Sequence, residues 1–311
     1  MLRILILISL SFLNSVIARA QSADEFFNSG NAHSKQGQFI QAISDYTQSI
    51  KIDPQYAYAY NNRGLANLNL LNLPQAISDY NKAIEIDPKF AVPYFNLGMV
   101  YKNQGKLSQA IVDLSKAIEI EPDYDIAYQN RGIIEDLQDK HAQAISDFTK
   151  AIVSNPNDVE YYYDRGIAYD NEGRYAQAIS DFNSVIAHNP SLPRAYFNRG
   201  LAYGNKGSYD QAISDFSKAI GLDAKDAGAY NDRGLIYYYE DSYDLAIADF
   251  NKAIELNNKD AQAYSNRAIA YYYKQEYDEA WADVHKVEEL GVSVNIHLIS
   301  LLREVSGGPR S

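Results

Sequence analysis

The sequence predicts an all-α solenoid of stacked helix-turn-helix units, and three observations carry that prediction. Gly30, Gly64, Gly98, Gly132, Gly166, Gly200 and Gly234 stand 34 residues apart. Ala42, Ala76, Ala110, Ala144, Ala178, Ala212, Ala246 and Ala280 form a second comb of the same spacing. Apolar residues three and four apart, the period of a helix, run between the combs and are broken regularly by Gly, Asn and Pro. A fixed period of this size marks units that bury their apolar faces by stacking on neighbours. The 311 residues then need no single large core.

The elements follow in order. Residues 1–20 carry one early cation, Arg3, a mostly apolar run over 4–13, and a final Ala18-Arg19-Ala20. That is the form of a cleaved signal peptide. The apolar run is about half the roughly 20 residues that span a bilayer. The expectation is an exported protein, periplasmic or secreted, cleaved after Ala20 and left with no membrane span. Eight units then occupy residues 23–56, 57–90, 91–124, 125–158, 159–192, 193–226, 227–260 and 261–294. Ser22 and Glu25 have the spacing of a capping box that opens the first helix.

The fifth unit serves as template, with Val159 as position 1. Tyr162, Gly166 and Tyr169, at positions 4, 8 and 11, share one face of helix A. Gly173 is placed to end that helix in a left-handed cap. Helix B buries Ala178, Ile179, Phe182, Val185 and Ile186, and His188-Asn189-Pro190 stops it. Gly at 8 and Ala at 20 lack bulk and let the helices approach, while Tyr162 and Phe182 fill the space beside them. Arg63/Asp79, Arg131/Asp147, Arg165/Asp181, Arg199/Asp215, Arg233/Asp249 and Arg267/Asp283 are each 16 apart, which predicts a structural pair from helix A to helix B. Such pairs contribute about 0.2–1 kcal/mol each if exposed. Ser29 and Leu97 replace the Arg in units one and three, so Asp45 and Asp113 lack this partner. Residues 295–305 form a short capping helix with an apolar stripe, Ile296, Leu298, Ile299, Leu301, Leu302 and Val305, and 306–311 a flexible tail.

The pattern resembles the tetratricopeptide repeat. Tyr60, Tyr94, Tyr128, Tyr162, Tyr196, Tyr230 and Tyr264 match its aromatic position 4, and Pro54, Pro88, Pro122, Pro156 and Pro190 its position 32. Departures gather late, with Ala224, Asn258 and Val292 in place of Pro and Ala268 in place of Gly. The resemblance implies a right-handed superhelix whose concave groove is lined by helix A, at positions 2, 5, 6, 9, 12 and 13. It also implies a scaffold that binds an extended peptide or a partner domain.

Composition narrows the function. The net charge of −12 disfavours nucleic acid. With no cysteine there are no disulfides, thiolate metal sites or cysteine nucleophiles. His33, His141, His188, His285 and His297 fall at unrelated repeat positions, and no nucleotide loop or hydrolase motif appears. No enzyme activity, catalytic residue, metal or cofactor is expected. Position 6 reads Asn28, Asn62, Asn96, Asn130, Asp164, Asn198, Asp232 and Asn266. An amide both donates and accepts, so such a row could grip a peptide backbone, as in the asparagine ladders of some family superhelices. The alternative is that these amides bond neighbouring helices. Phe95, Tyr163 and Phe197 add rings at position 5, Tyr239 and Tyr273 cluster with Tyr238 and Tyr272, and Asp136, Glu160, Asp164, Asp170 and Asp232 add negative charge. Position 5 carries no cation, so the family's clamp for acidic tails is absent. A basic or neutral partner is expected. Two other readings stand: a structural factor assembling an envelope complex through outer face and ends, or a carbohydrate-binding module using the Tyr cluster. The oligomeric state is not legible.

Overall fold

The computed structural model describes residues 22–306. The expected signal peptide and the expected tail beyond residue 306 lie outside the described residues. Among those described there are seventeen helices and no strand. They are α1 (Ala23–Lys35), α2 (Phe39–Ile52), α3 (Ala57–Asn69), α4 (Leu73–Ile86), α5 (Ala91–Asn103), α6 (Leu107–Ile120), α7 (Asp125–Asp136), α8 (His141–Ser154), α9 (Val159–Asn171), α10 (Tyr175–His188), α11 (Pro193–Asn205), α12 (Tyr209–Leu222), α13 (Ala227–Tyr239), α14 (Tyr243–Leu256), α15 (Ala261–Tyr273), α16 (Tyr277–Glu289) and α17 (Ile296–Ser306). Odd helices up to α15 are A helices, and even ones are B helices. The chain divides into two compact units, one ending at Ile134 and the other beginning at Glu135, in the last turn of α7.

In the first unit the capping box forms. Ser22 Oγ accepts from the Glu25 N–H at 3.1 Å, and Glu25 Oε2 accepts from the Ser22 N–H at 3.2 Å. The A helices α1 and α3 then lie against their B helices where glycine faces a ring, and α5 where Gly98 faces Leu114. A Cβ on Gly30 would stand 2.6 Å from the Tyr46 ring, and one on Gly64 2.8 Å from Tyr80. Interiors are packed too closely to absorb such an intrusion without movement. Ala42, Ala76 and Ala110 are fully buried at the same crossings.

The second unit repeats the device with phenylalanine. A Cβ on Gly166 or Gly234 would stand 2.8 Å from the ring of Phe182 or Phe250. In the last repeat Ala268 carries the Cβ the others lack, and Val284 stands where they place a ring. The two departures compensate. Helix α17 covers the end of this unit, with Leu298 and Leu302 buried against Trp281 and Val284. The rest of its expected stripe is less buried, since Ile296 and Val305 remain exposed. The helix also runs one residue past the expected end, to Ser306.

The turn between A and B helices needs one left-handed residue at position 15. Gly37, Gly105, Gly173 and Gly207 supply it with φ between 72° and 81°. Leu71, Asp139, Asp241 and Gln275 adopt the same conformation with φ between 55° and 64°. There a side chain crowds the backbone.

The Arg–Asp pairs are more deeply set than a surface pair. Arg63, Arg165, Arg199, Arg233 and Arg267 each donate Nε and Nη2 to both oxygens of Asp79, Asp181, Asp215, Asp249 and Asp283, at 2.6–3.0 Å. The arginines are 16–18% exposed and the aspartates 2–10%. Breaking such a buried pair strands a charge, a far larger effect than the exposed value. Of the remaining expected pair, Arg131 belongs to the first unit and Asp147 to the second. The position-4 tyrosines hold these guanidinium groups rather than filling the A–B crossing. Arg165 lies 5.6 Å over Tyr162 and 5.7 Å over Tyr169. In the same repeat the tyrosine that is fully buried is Tyr161, at position 3 and 1% exposed.

Candidate binding face of the A helices

In the first unit the position-6 amides bond sideways. Asn96 Nδ2 donates to Asn61 Oδ1 at 3.0 Å, Asn61 Nδ2 to Asn62 Oδ1 at 3.0 Å, and Asn62 Nδ2 to Asn31 Oδ1 at 2.9 Å. Tyr46 OH closes the relay by donating to the same Asn31 oxygen at 2.8 Å. Asn130 is buried, donates to the Ile126 carbonyl and accepts from Lys102 Nζ at 2.8 Å. Only Asn28 is exposed and without a hydrogen bond among the described residues. The Phe95 ring is half-buried, 5.2 Å from Tyr124, and packs into the core rather than projecting as an open groove ring.

The second unit contains the same relay. Asn266, itself buried, donates to Asn231 Oδ1 at 3.0 Å, and Asn231 donates to Asp232 Oδ1 at 3.0 Å. Asn198 Nδ2 donates to the Tyr163 hydroxyl at 2.7 Å. The rule across both units is simple. An amide at position 6 reaches back when position 5 of the preceding repeat offers oxygen, as Asn61, Tyr163 and Asn231 do. Where that position is Phe27, Phe95 or Phe197, the residue at 6 finds another partner. Tyr163 and Phe197 lean on Phe182 and Phe216, with centroids 6.0 and 5.7 Å apart, so they too are partly core.

The face is less acidic than a count of carboxylates suggests. Glu160 is paired with Arg194, whose guanidinium lies 4.4 Å over the Tyr163 ring. Asp136 is bonded to His141 Nδ1 at 2.7 Å and accepts from Asn171. Burial raises the Asp170 carboxyl above its usual range, although Asn205 donates to it. Asp232 is pushed up to about 6 by burial. Asp164 is half-buried.

The two remaining candidates do project. Tyr239 is 55% exposed and Tyr273 50%. Tyr239 stacks on Tyr209 at 6.0 Å and 14°, and Tyr273 on Tyr243 at 5.6 Å and 13°. Tyr238 bridges them, lying 5.4 Å from Tyr239 and 5.6 Å from Tyr273. Tyr272 and Tyr277 extend the run. Sequence reasoning found Tyr238, Tyr239, Tyr272 and Tyr273 but missed Tyr209, Tyr243 and Tyr277. Their signal was present, because all three open B helices 34 residues apart. Among the described residues no group of three or more His, Cys, Asp or Glu could hold a metal. No described helix is long and apolar enough to cross a membrane.

Comparison with known proteins agrees with this geometry. A profile described as TPR repeat matches residues 30–70, 72–105 and 234–275, and two described as Tetratricopeptide repeat match 91–124 and 163–228. No curated protein matches by sequence. Among solved structures, MamA is 30% identical over 55% of this chain and 94% of its own, with a TM-score of 0.51. The C-terminal part of a TPR repeat-containing protein from Cytophaga hutchinsonii is 19% identical over 77% and 98%, with a TM-score of 0.64. YrrB, described as a TPR protein with an unusual peptide-binding site, is 24% identical over 59% and 95%, with a TM-score of 0.52. Periodic sequence, paired helices and matching solenoids together place the chain in the tetratricopeptide repeat family, whose fold is a scaffold consistent with protein–protein interaction.

Proposed function

We propose that the protein is an exported interaction scaffold and that the A-helix face of its second unit holds an extended peptide, neutral or basic, or the exposed loop of a partner domain. The half-exposed pair Tyr239 and Tyr273 carries this reading. Each ring is fixed by a stacked partner before any ligand arrives, so binding loses little side-chain entropy. A tyrosine also offers apolar area and a hydroxyl together, which suits a peptide with both apolar and polar groups. The amide relay supports the same reading in a reduced role. Its amides hold adjacent A helices in place and keep part of their hydrogen-bonding capacity for a ligand. The leader-like residues 1–20 support export.

The test compares residues 21–311 with a folded Tyr239→Ala/Tyr273→Ala variant, each photo-crosslinked from position 235 to exported proteins of the same cell. Partners crosslinked by wild type and lost from the variant support the reading. Equal crosslinking moves the working surface to the B helices or the ends of the array. Amino-terminal sequencing of the exported protein should begin at Gln21.

A further inference from the structure

One side-chain position breaks its own pattern in the first unit. In the complete repeats the guanidinium at position 7 has a built seat. It is bonded by the aspartate at position 23, touched by an oxygen at position 25 of the preceding repeat, and covered by rings at positions 4 and 11. For Arg165 these are Asp181, Thr149 at 3.1 Å, Tyr162 and Tyr169. For Arg233 they are Asp249, Ser217 at 2.8 Å, Tyr230 and Tyr237.

The first repeat lacks the arginine and replaces it locally. Ser29 Oγ donates to Asp45 Oδ2 at 2.7 Å, and His33 Nδ1 lies 2.7 Å from the same oxygen. The third repeat lacks the arginine and does not replace it. Leu97 turns into the core and is 3% exposed, packed with Tyr80 and Val100. Asp113 makes no hydrogen bond or ion pair among the described residues, and burial alone pushes its carboxyl up to about 6. The rest of the seat remains. Tyr101 and Asp113 line a cleft of about 370 Å³, and Tyr94 and Asp113 line an adjoining one of about 490 Å³. Asn81, at position 25 of the preceding repeat, is exposed. Neither nearby cation pairs with Asp113: Lys116, in the lining of the second cleft, has its Nζ 2.7 Å from Glu119, and Lys106 Nζ lies 5.7 Å over the Tyr101 ring, which an incoming guanidinium would have to share or take over.

We propose that the cleft formed by Asp113, Tyr94 and Tyr101 is a binding site for the arginine side chain of a partner protein. Four sibling seats in the same chain, those of Arg165, Arg199, Arg233 and Arg267, hold a guanidinium with this carboxylate and both rings, and that of Arg63 holds one with a single ring. These seats are the argument for the ligand. Arginine suits it better than lysine, because a planar fork can use both carboxylate oxygens while its faces lie against the rings. A lysine ammonium would make a single point contact. The site is separate from the face proposed above. Position 7 lies about 160° around helix A from position 9, at 3.6 residues per turn. Failure of either reading therefore leaves the other standing.

The probe is a capped Gly-Arg-Gly peptide, titrated into the full chain and followed by NMR of tyrosine side chains and of the Asp113 carboxyl. Saturable shifts confined to Tyr94, Tyr101 and Asp113 are expected, with a fall in the Asp113 pKa at saturation. The Gly-Lys-Gly peptide should bind at least several-fold more weakly. Asp113→Asn should abolish the response while leaving the fold intact. Leu97→Arg should abolish it too, by filling the seat from within, and should raise the melting temperature. Equal response to both peptides, shifts spread over many carboxylates, or an undiminished response in Asp113→Asn would each overturn the proposal. If Leu97→Arg does not fold, the Asp113→Asn and peptide arms still decide.

Discussion

The two compact units are built from one repeat, yet they treat buried polar groups differently. The second unit carries four complete bidentate Arg–Asp pairs. The described pairs of the first unit include one, Arg63–Asp79, beside the Ser29/His33 substitute at Asp45 and the unpaired Asp113. The second unit sets Phe182, Phe216 and Phe250 against its glycines. The first sets Tyr46 and Tyr80 there, and only Tyr46 has a partner for its hydroxyl. The difference teaches that the repeat's shape tolerates polar irregularity where stacking supplies the burial. The polar groups then become local choices.

The largest effect should separate Asp181 from Asp113. Asp181→Ala leaves Arg165 buried without its carboxylate and should cost about 3–5 kcal/mol. Asp113→Ala removes a desolvated charge with no partner, and should leave stability unchanged or raise it. Chemical denaturation of both variants, read by helical circular dichroism, checks the contrast. A loss at Asp113 as large as that at Asp181 would break it.

Next is the Tyr80 hydroxyl, fully buried and without a hydrogen-bond partner. Tyr80→Phe should stabilise by about 1–2 kcal/mol, since the cost of an unsatisfied buried group is removed. Tyr46→Phe should be neutral or destabilising, because it leaves the relay oxygen of Asn31 with one donor fewer.

A pH series sharpens the comparison further. Burial raises the carboxyls of Asp113 and Asp232 from 3.8 to about 6. Each therefore binds its proton more tightly folded than unfolded. Stability from these groups falls as pH rises from 3.8 to about 6 and is level above that. Asp113→Asn should flatten part of the slope, measured as melting temperature against pH. The smallest effect belongs to the turns. Leu71→Gly and Gln275→Gly should each add about 0.5–1 kcal/mol, because the left-handed strain exceeds glycine's entropic penalty.

Much of this was legible in the sequence, and the reasons are physical. Period, glycine comb and alanine comb report where helices touch, because contact at a crossing tolerates few residue types. The Arg–Asp spacing of 16 likewise named its partners. What the sequence did not show was direction. Phe95, Tyr163 and Phe197 share the face of a groove residue on a helical wheel, yet Tyr163 and Phe197 fold back onto the B-helix rings of Phe182 and Phe216, and Phe95 onto Tyr124 in the turn before α7. The amides at position 6 face the groove by periodicity, but the next A helix is closer to them than any ligand. Asp45 looked as bare as Asp113, because a histidine four residues beyond Ser29 is not part of the repeat. The tyrosines that open B helices were visible at fixed spacing, but the expectation that the groove belongs to helix A hid them.

The side-chain relay gives each unit a grammar for rearrangement. Where one amide bonds another across repeats, the donor sits on the later repeat, as Asn96 on Asn61 and Asn266 on Asn231. A duplicated or transplanted repeat therefore keeps this link only if its predecessor ends its clause with oxygen at position 5. After a phenylalanine there, the amide at position 6 must be answered by another word of the preceding repeat, as Asn31 answers Asn62 and Lys102 answers Asn130.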